Sequence, residues 1–185
     1  MVKAMNPDEL VVAVGSEPVK PRIHGIERSN VYNILEAHAR LGEDWGDTVI
    51  IGGGPSGIEL ALSLAEKKIH VTVVEMAEDI AENGNSLYHA AVEIRLKEFA
   101  EYITVLTKTR CLAIEEEGVR VEDGEGRELI IPAKDVVYCV GMRARKALAE
   151  SFYGLVYDVK MIGDCMGARR INEASHEGYF AAFSM

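Results

Sequence analysis

The chain has no cysteine pair, no long apolar run and no excess of positive charge. Cys111, Cys139 and Cys165 stand far apart among 185 residues, with no CxxC and no metal-type Cys/His spacing. That excludes a disulfide framework and a thiolate metal site, and it reads as three reduced cysteines in a cytoplasmic protein. The opening MVKAMNPDEL lacks the apolar core of a signal peptide. No run nears the ~18 apolar residues of a membrane span, so no membrane partner is expected. Thirty Asp and Glu against twenty Lys and Arg leave a net charge of −10. Such a surface repels phosphate backbones, which excludes nucleic acid as an expected partner. An anionic ligand must then be held by local geometry. Repeats and low-complexity segments are absent, and the five histidines have no partner pattern. Hydrophobic residues at 48% and charged residues at 27% are those of a soluble globular protein.

What the chain does have is a glycine turn. In TVIIGGGPSGIELA, an apolar strand at Thr48–Ile51 runs into Gly52-Gly53-Gly54-Pro55-Ser56-Gly57, a GxGxxG pattern. The spacing predicts a helix over Ile58–Lys67, with Ile58, Leu60, Ala61 and Leu64 as its apolar set, and HVTVVEM as a second strand. Strand, turn, helix and strand in under thirty residues make a βαβ unit. Each glycine has a task there. Gly52 permits the sharp turn off the strand, Gly54 lets a pyrophosphate approach the backbone, and Gly57 lets the helix pack closely. The helix N-terminus adds unpaired N–H groups and the positive end of its dipole, so an acidic protein can still hold a diphosphate.

The second strand ends in Glu75, 23 positions after Gly52. An acid there accepts the ribose hydroxyls of an adenosine. It also opposes a 2′-phosphate. Two like charges ~4 Å apart repel by about 1 kcal/mol in water and about 4 kcal/mol at an effective dielectric near 20. The next residues, Met76-Ala77-Glu78-Asp79, supply no Arg or Lys. NAD(H) is therefore expected over NADP(H). A methyltransferase also has a glycine-rich turn and a later acid, but it would leave the elements outside the βαβ unit unexplained.

Around this unit the pattern varies. ELVVAV reads as a short strand, followed by an extended stretch, GSEPVKPRIHG. NVYNILEAHARLG has helical spacing, with Ile34, Leu35 and His38 on one side. Asn85–Ala100 reads as an amphipathic helix, with Ala91 and Ile94, beside Leu87, Tyr88 and Leu96, at near-helical period. YITVLT, RCLAIEEE, GVRVED and RELIIPA, split by Glu117-Gly118 and DGEG, read as a small antiparallel meander. DVVYCVG is a further buried strand, ARKALAESF a helix, VKMIGD a last short strand and INEASHEGYFAAFSM a last helix.

The order of VVAVGSEP, the GxGxxG turn, DVVYCVGMRAR and MIGDC resembles the pyridine nucleotide-disulfide oxidoreductase superfamily over nearly the whole chain. It is most similar to the NAD-binding region of NADH:flavin oxidoreductases of the 2,4-dienoyl-CoA reductase and 2-enoate reductase type. AVGSEPVKPRIHGI resembles the first crossover out of an FAD domain, with Gly15. VIIGGGPSGIELALSLAEKKIHVTVVEM resembles the NAD fingerprint. YCVGMRAR, with Val140 and Gly141, resembles the second crossover. IGDCMGARRINEASHEGYFAA resembles the FAD-binding GD motif and final helix.

The resemblance implies a Rossmann-like α/β NAD(P)-binding domain with an antiparallel β-meander, flanked by remnants of an FAD domain. Residues 1–26 would be an FAD-domain remnant and crossover, and 27–47 a linker helix. Residues 48–141 would be the NAD-binding domain, and 142–185 a crossover and the C-terminal FAD-domain remnant. It implies Gly52, Gly54, Pro55, Ser56, Gly57, Glu75, Met76, Val140, Gly141, Gly15, Gly163 and Asp164 as cofactor-binding positions. Asp164 would accept from the FAD ribitol. Arg169, Arg170 and the helix from about Ile171 would favour reduced flavin. Glu59 would sit near the nicotinamide as the catalytic acid, paired with a residue of the FAD domain. No metal is implied.

The chain would be the NADH-binding part of a longer enzyme, itself inactive. In the parent, hydride passes from NADH to FAD and an activated C=C is reduced. The missing FAD and substrate domains would be its partners. Pairing of the remnant segments between copies would give a homo-oligomer. Two alternatives stay open: part of another FAD reductase (NADH oxidase or ferredoxin-reductase type), and a non-catalytic dinucleotide-binding module. The absent CxxC argues against thiol–disulfide chemistry, and Cys165 reads as a packed strand-end residue.

Overall fold

The computed structural model describes residues 2–80 and 86–184. In chain order the elements begin with α1 (Val2–Met5), β1 (Glu9–Val12), β2 (Ser16–Pro18), β3 (Val31–Asn33) and α2 (Ile34–Ala39). Next come β4 (Thr48–Ile51), α3 (Pro55–Ala65), β5 (Val71–Val74), α4 (Ser86–Glu98) and β6 (Ile103–Leu106). Strands β7 (Arg110–Ile114), β8 (Gly118–Glu122), β9 (Glu128–Pro132), β10 (Asp135–Tyr138) and β11 (Met142–Ala144) follow. The last elements are α5 (Lys146–Glu150), β12 (Asp158–Met161), a 3₁₀ turn (Gly163–Cys165) and α6 (Ile171–Phe183). No helix among the described residues is long and apolar enough to cross a membrane.

The chain divides into two compact units: Lys20–Gly141, and Met1–Val19 with Met142–Met185. The first is built on a five-stranded parallel sheet of order β3-β10-β4-β5-β6. Every carboxyl end therefore lies along one edge. All four residues of β4 are buried, as a central strand covered on both faces requires. Val49 and Ile51 join a cluster with Val74, Val136, Tyr138 and the meander residues Ile114, Val119, Val121 and Ile131. Ile50 faces the other way, toward α3 at Gly57. The meander β7-β8-β9 thus covers one face and helices the other. It is antiparallel, with an irregularity between Cys111 and Ala113. Its DGEG turn is fastened by Asp123, whose carboxylate accepts from the Glu125 and Arg127 N–H groups.

Three elements differ from the sequence expectation. Ile103–Leu106, expected in the meander, pairs parallel with β5 instead. It follows a helix, and a strand reached by a helical crossover returns parallel to its predecessor. The stretch 27–47, expected as a linker helix, contributes the edge strand β3 to the sheet. Asn33 ends that strand and caps α2, accepting from the Leu35 and Glu36 N–H groups while Glu36 accepts from Asn33 N–H. Ile34 and Ala37 are the residues α2 buries, while Leu35 and His38 are exposed. Helix α4 packs through Tyr88, Val92, Arg95 and Leu96: Tyr88 and Leu96 are as expected, while Leu87, Ala91 and Ile94 are exposed. The expected start of that helix at Asn85 lies outside the described residues.

The other unit has two small sheets. Strands β1 and β12 pair parallel, and β2 and β11 antiparallel. Val12, Ala149 and Cys165 form its buried core, flanked by Leu10, Val14, Phe152, Val159 and Met161. Glu17 of β2 joins Arg143 of β11 and Arg145, which follows it.

The βαβ unit closes at one contact. A Cβ on Gly57 would collide with the Gly52 carbonyl oxygen, which is fixed backbone. Gly57→Ala is expected to destabilise the fold by about 2–3 kcal/mol, read as a lower urea midpoint at unchanged slope.

Candidate functional site

The turn after β4 shows why glycine recurs. Gly52 has φ +113, and a Cβ there would strike the Cys139 carbonyl oxygen at the end of β10. Gly57 is pinched against Gly52 in turn. Gly54 differs from both. It is the N-cap of α3, at φ −67 and ψ 174, and a Cβ on it would meet nothing within 4 Å. That direction is open. Pro55 follows at the first helical position, where its missing N–H costs nothing. Ser56 is exposed beside it. The first turn of α3 offers N–H groups and the positive dipole end at this place.

The strand order reverses between β4 and β10. Strands β5 and β6 extend from β4 on one side, β10 and β3 on the other. A crevice outside the carboxyl ends at such a switch point is where open α/β sheets bind ligands. Val140 and Gly141 follow β10 on this edge. Val140 is 40% exposed, and Gly141 has φ +108.

Glu75 ends β5 on the same edge. Its Oε2 accepts from the Gly53 N–H at 2.6 Å, and its Oε1 from the Ala77 N–H at 2.8 Å. One carboxylate thus ties the glycine turn to the loop after β5. Its remaining lone pairs can still accept from a ligand hydroxyl. Met76, beside it, is largely exposed.

Glu59 lies one turn into α3 and is exposed. The hydroxyl of Tyr88, from α4, donates to Glu59 Oε1 at 3.2 Å and reaches the Pro55 carbonyl at 3.4 Å. Burial, and then the Glu59 charge, push this phenol up to about 12, so it stays a donor. The sequence reading missed this pairing, since nothing local links positions 59 and 88.

Gly15, Gly163 and Asp164 fall in the other unit. Gly15 and Gly163 have φ +73 and +70, and a Cβ on either meets nothing within 4 Å. Asp164 accepts from Ser16 Oγ at 3.2 Å and from the Arg169 N–H at 3.3 Å. Glu177, absent from the sequence expectations, accepts from the Gly163 N–H at 2.6 Å and pairs with Arg169. The Gly163 amide and the Arg169 guanidinium hold its carboxyl below the usual range. Among the described residues, no cluster of three His, Cys, Asp or Glu is placed to hold a metal ion.

A parallel sheet with a glycine turn at its switch point and an acid ending the next strand defines a Rossmann-like dinucleotide-binding unit. The chain belongs to the pyridine nucleotide-disulphide oxidoreductase family, which residues 2–163 match. It is 35% identical to a bilirubin reductase of Mediterraneibacter gnavus, over 98% of this chain and 28% of that protein. It is 31% identical to an NADH oxidase of Thermoanaerobacter brockii, over the whole chain and 29% of that protein. Among solved structures it resembles a 2-naphthoyl-CoA reductase in complex with 2-naphthoyl-CoA, at a TM-score of 0.89 and 32% identity. That likeness covers 96% of this chain and 27% of the reductase. The chain thus spans under a third of the length of these relatives.

The thiols do not suit nucleophilic or exchange chemistry near neutral pH. Burial pushes Cys111 up to about 11, against a partly opposing hydrogen bond from the Ala113 backbone. Burial, and then the Glu59 charge, push Cys139 up to about 11. Cys165 is fully buried, its Sγ donating to the Ile162 and Val12 carbonyls at 3.0 and 3.5 Å. As pH rises past about 9, the unfolded chain loses its thiol protons while the native chain keeps them, so native stability falls. Between pH 9 and 11 the two raised thiols are expected to cost about 1–3 kcal/mol together, after allowance for solvent screening. Urea midpoints at both pH values, compared with Cys111→Ala/Cys139→Ala, check this; an unchanged pH decrement in the variant would refute it.

Proposed function

We propose that this chain is the NAD(H)-binding part of a flavin-dependent oxidoreductase that passes hydride from NADH to FAD. The parent protein would then reduce an activated C=C of enoate or dienoyl type. The observation that carries the reading is the open face of Gly54 at the N-terminus of α3, with the Glu75 carboxylate one strand away. A diphosphate fits the first and an adenosine ribose the second.

In this reading the Gly52–Gly57 turn receives the diphosphate, with Pro55 and Ser56 at its rim. Glu75 and Met76 hold the adenosine end. The nicotinamide runs toward Val140, Gly141 and Glu59, where Tyr88 fixes the direction of the Glu59 carboxylate. Residues 48–141 are the core of the NAD-binding domain. Residues 1–26 and 142–185 carry parts of an FAD domain, where Gly15, Gly163 and Asp164 would touch the flavin. Bound FAD would take the hydride of NADH as a two-electron carrier. Gly15, Gly163 and Asp164 would hold only part of such a cofactor. The isolated chain is therefore a binder without turnover.

The substrate class rests on the relatives. Naphthoyl-CoA is a conjugated thioester, which an enoate-type centre would reduce. The NADH oxidase favours a second reading, in which electrons pass to oxygen. The full-length protein separates the two: NADH consumption stimulated by a conjugated acceptor under anaerobic conditions supports the first, and dependence on oxygen alone the second.

Calorimetry on this chain is expected to show NADH binding at least about tenfold tighter than NADPH, with no stoichiometric FAD. Copurified flavin, or tighter NADPH, would overturn these points. Gly54→Ala fits the observed φ, so it should cost at most about 1 kcal/mol of stability. It should weaken NADH at least about tenfold, because its methyl fills the diphosphate position. Unchanged affinity in a folded variant would remove the assignment.

A further inference from the structure

The local sequence after Glu75 carries no cation, but the fold brings one from elsewhere. Lys108 stands just past β6, the strand next to β5. Its N–H donates to the Ala77 carbonyl at 2.8 Å, and the Thr109 N–H donates to the Glu75 carbonyl at 2.9 Å. The Glu75 N–H in turn donates to the Leu106 carbonyl at 2.8 Å. The two loops are thus laced together beside the acid assigned to the adenosine ribose. Lys108 holds φ +50, unusual for a residue with a side chain. Its Nζ lies 2.7 Å from Glu78 Oε1, with the two side chains 57% and 82% exposed.

We propose that Lys108 is a ligand for an adenosine 2′-phosphate that Glu78 masks, so that Glu78 and Lys108 together set the choice between NADH and NADPH. The inference rests on the dinucleotide reading of this edge. Glu75 reaches Ala77 through its carboxylate, and Ala77 joins Lys108 through its carbonyl, so a group on the ribose 2′-oxygen enters the space beside this loop. There it meets the carboxylates of Glu75 and Glu78 and the Lys108 ammonium, whose charge is already spent on Glu78. Discrimination against the phosphate is then shared. Glu75 repels it directly, and Glu78 both repels it and withholds the Lys108 cation. Removing the Glu78 charge moves both effects in the same direction. A 2′-hydroxyl is uncharged and gains little from either.

The test is a titration of the unsubstituted chain, Glu78→Gln and Glu78→Gln/Lys108→Ala with NADH and NADPH. A parallel series uses 5′-AMP and 2′,5′-ADP, which differ only in the 2′-phosphate. Glu78→Gln should improve the NADPH-to-NADH affinity ratio by about three- to tenfold. The double variant should lose that gain, and about 1 M salt should shrink it, because exposed charges are screened. Both residues are exposed, so the variants should melt with the unsubstituted chain. NADH binding with a ratio that Glu78→Gln leaves unmoved overturns this inference and spares the dinucleotide site. A gain that survives Lys108→Ala also overturns it, leaving simple repulsion by Glu78. If the unsubstituted chain binds no NADH, both readings fall.

Discussion

Three backbones meet at Gly52 with no room for a side chain. The Cys139 carbonyl presses from one side, and Gly57 presses on the Gly52 carbonyl from the other. This close approach joins β4 to β10 and seats the first turn of α3 over the strand ends. Move any of the three and the helix N-terminus no longer points along the carboxyl edge. The switch point, the direction of the dipole and the open face of Gly54 all follow from it. Packing therefore aims the candidate site, and the residues that do the aiming, Gly52 and Gly57, are distinct from the open Gly54.

That arrangement answers how a chain of net charge −10 can favour an anion. Long-range fields are screened within about 8–10 Å at ordinary salt, while N–H groups at a helix end act at contact. The Glu75 carboxylate is spent inward on two N–H groups, of Gly53 and Ala77. It closes the turn without lying across the face of Gly54. One side chain thus shapes the turn and, in the proposed reading, would also bear on the choice of nucleotide. Charge-assisted hydrogen bonds of this kind are roughly twice as strong as neutral ones, which suits a residue that links two loops.

Much of this was legible in the sequence, for a physical reason. The turn, β4, α3 and β5 are contiguous, and glycine, proline and an apolar run each dictate backbone geometry locally. The acid at 75 follows from the length of a crossover. What failed is what depends on distant partners. Alternation in Ile103–Leu106 shows a strand but not its neighbour, so β6 was assigned to the meander rather than the parallel sheet. Val31–Asn33 is too short to show a period and was absorbed into the following helix. In α4 Tyr88 and Leu96 pack as the pattern suggests, but Leu87 and Ile94, more apolar than Arg95, face outward while Arg95 packs. Arg95 pairs with Glu66 and Glu98, and its guanidinium lies over the Phe99 ring, so it is held in place without being apolar. The contacts of Glu59 with Tyr88, Gly163 with Glu177 and Ala77 with Lys108 cross 29, 14 and 31 positions. No local rule finds them.

The two units differ in how far their own residues can hold them. The parallel sheet has five strands, covered on one face by the meander cluster and on the other by helices. The smaller unit has two sheets of two strands each and a buried cluster of three residues. Two-stranded sheets are marginal alone in water. Its last helix buries only Ala181, while Tyr179, Phe180 and Phe183 are each at least 63% exposed. Tyr179 stacks on Phe183 and meets Phe180 edge-on, so these rings cover one another in part. At about 25 cal/mol per Å², full burial of three such side chains is worth several kcal/mol. That is comparable to the whole stability of a small domain. The smaller unit is therefore the one whose stability depends most on what covers it, and in relatives more than three times as long there is chain enough to do so. A ligand site that includes Asp164 would inherit that dependence, whereas the candidate site at Gly54 and Glu75 rests on a sheet that is already buried.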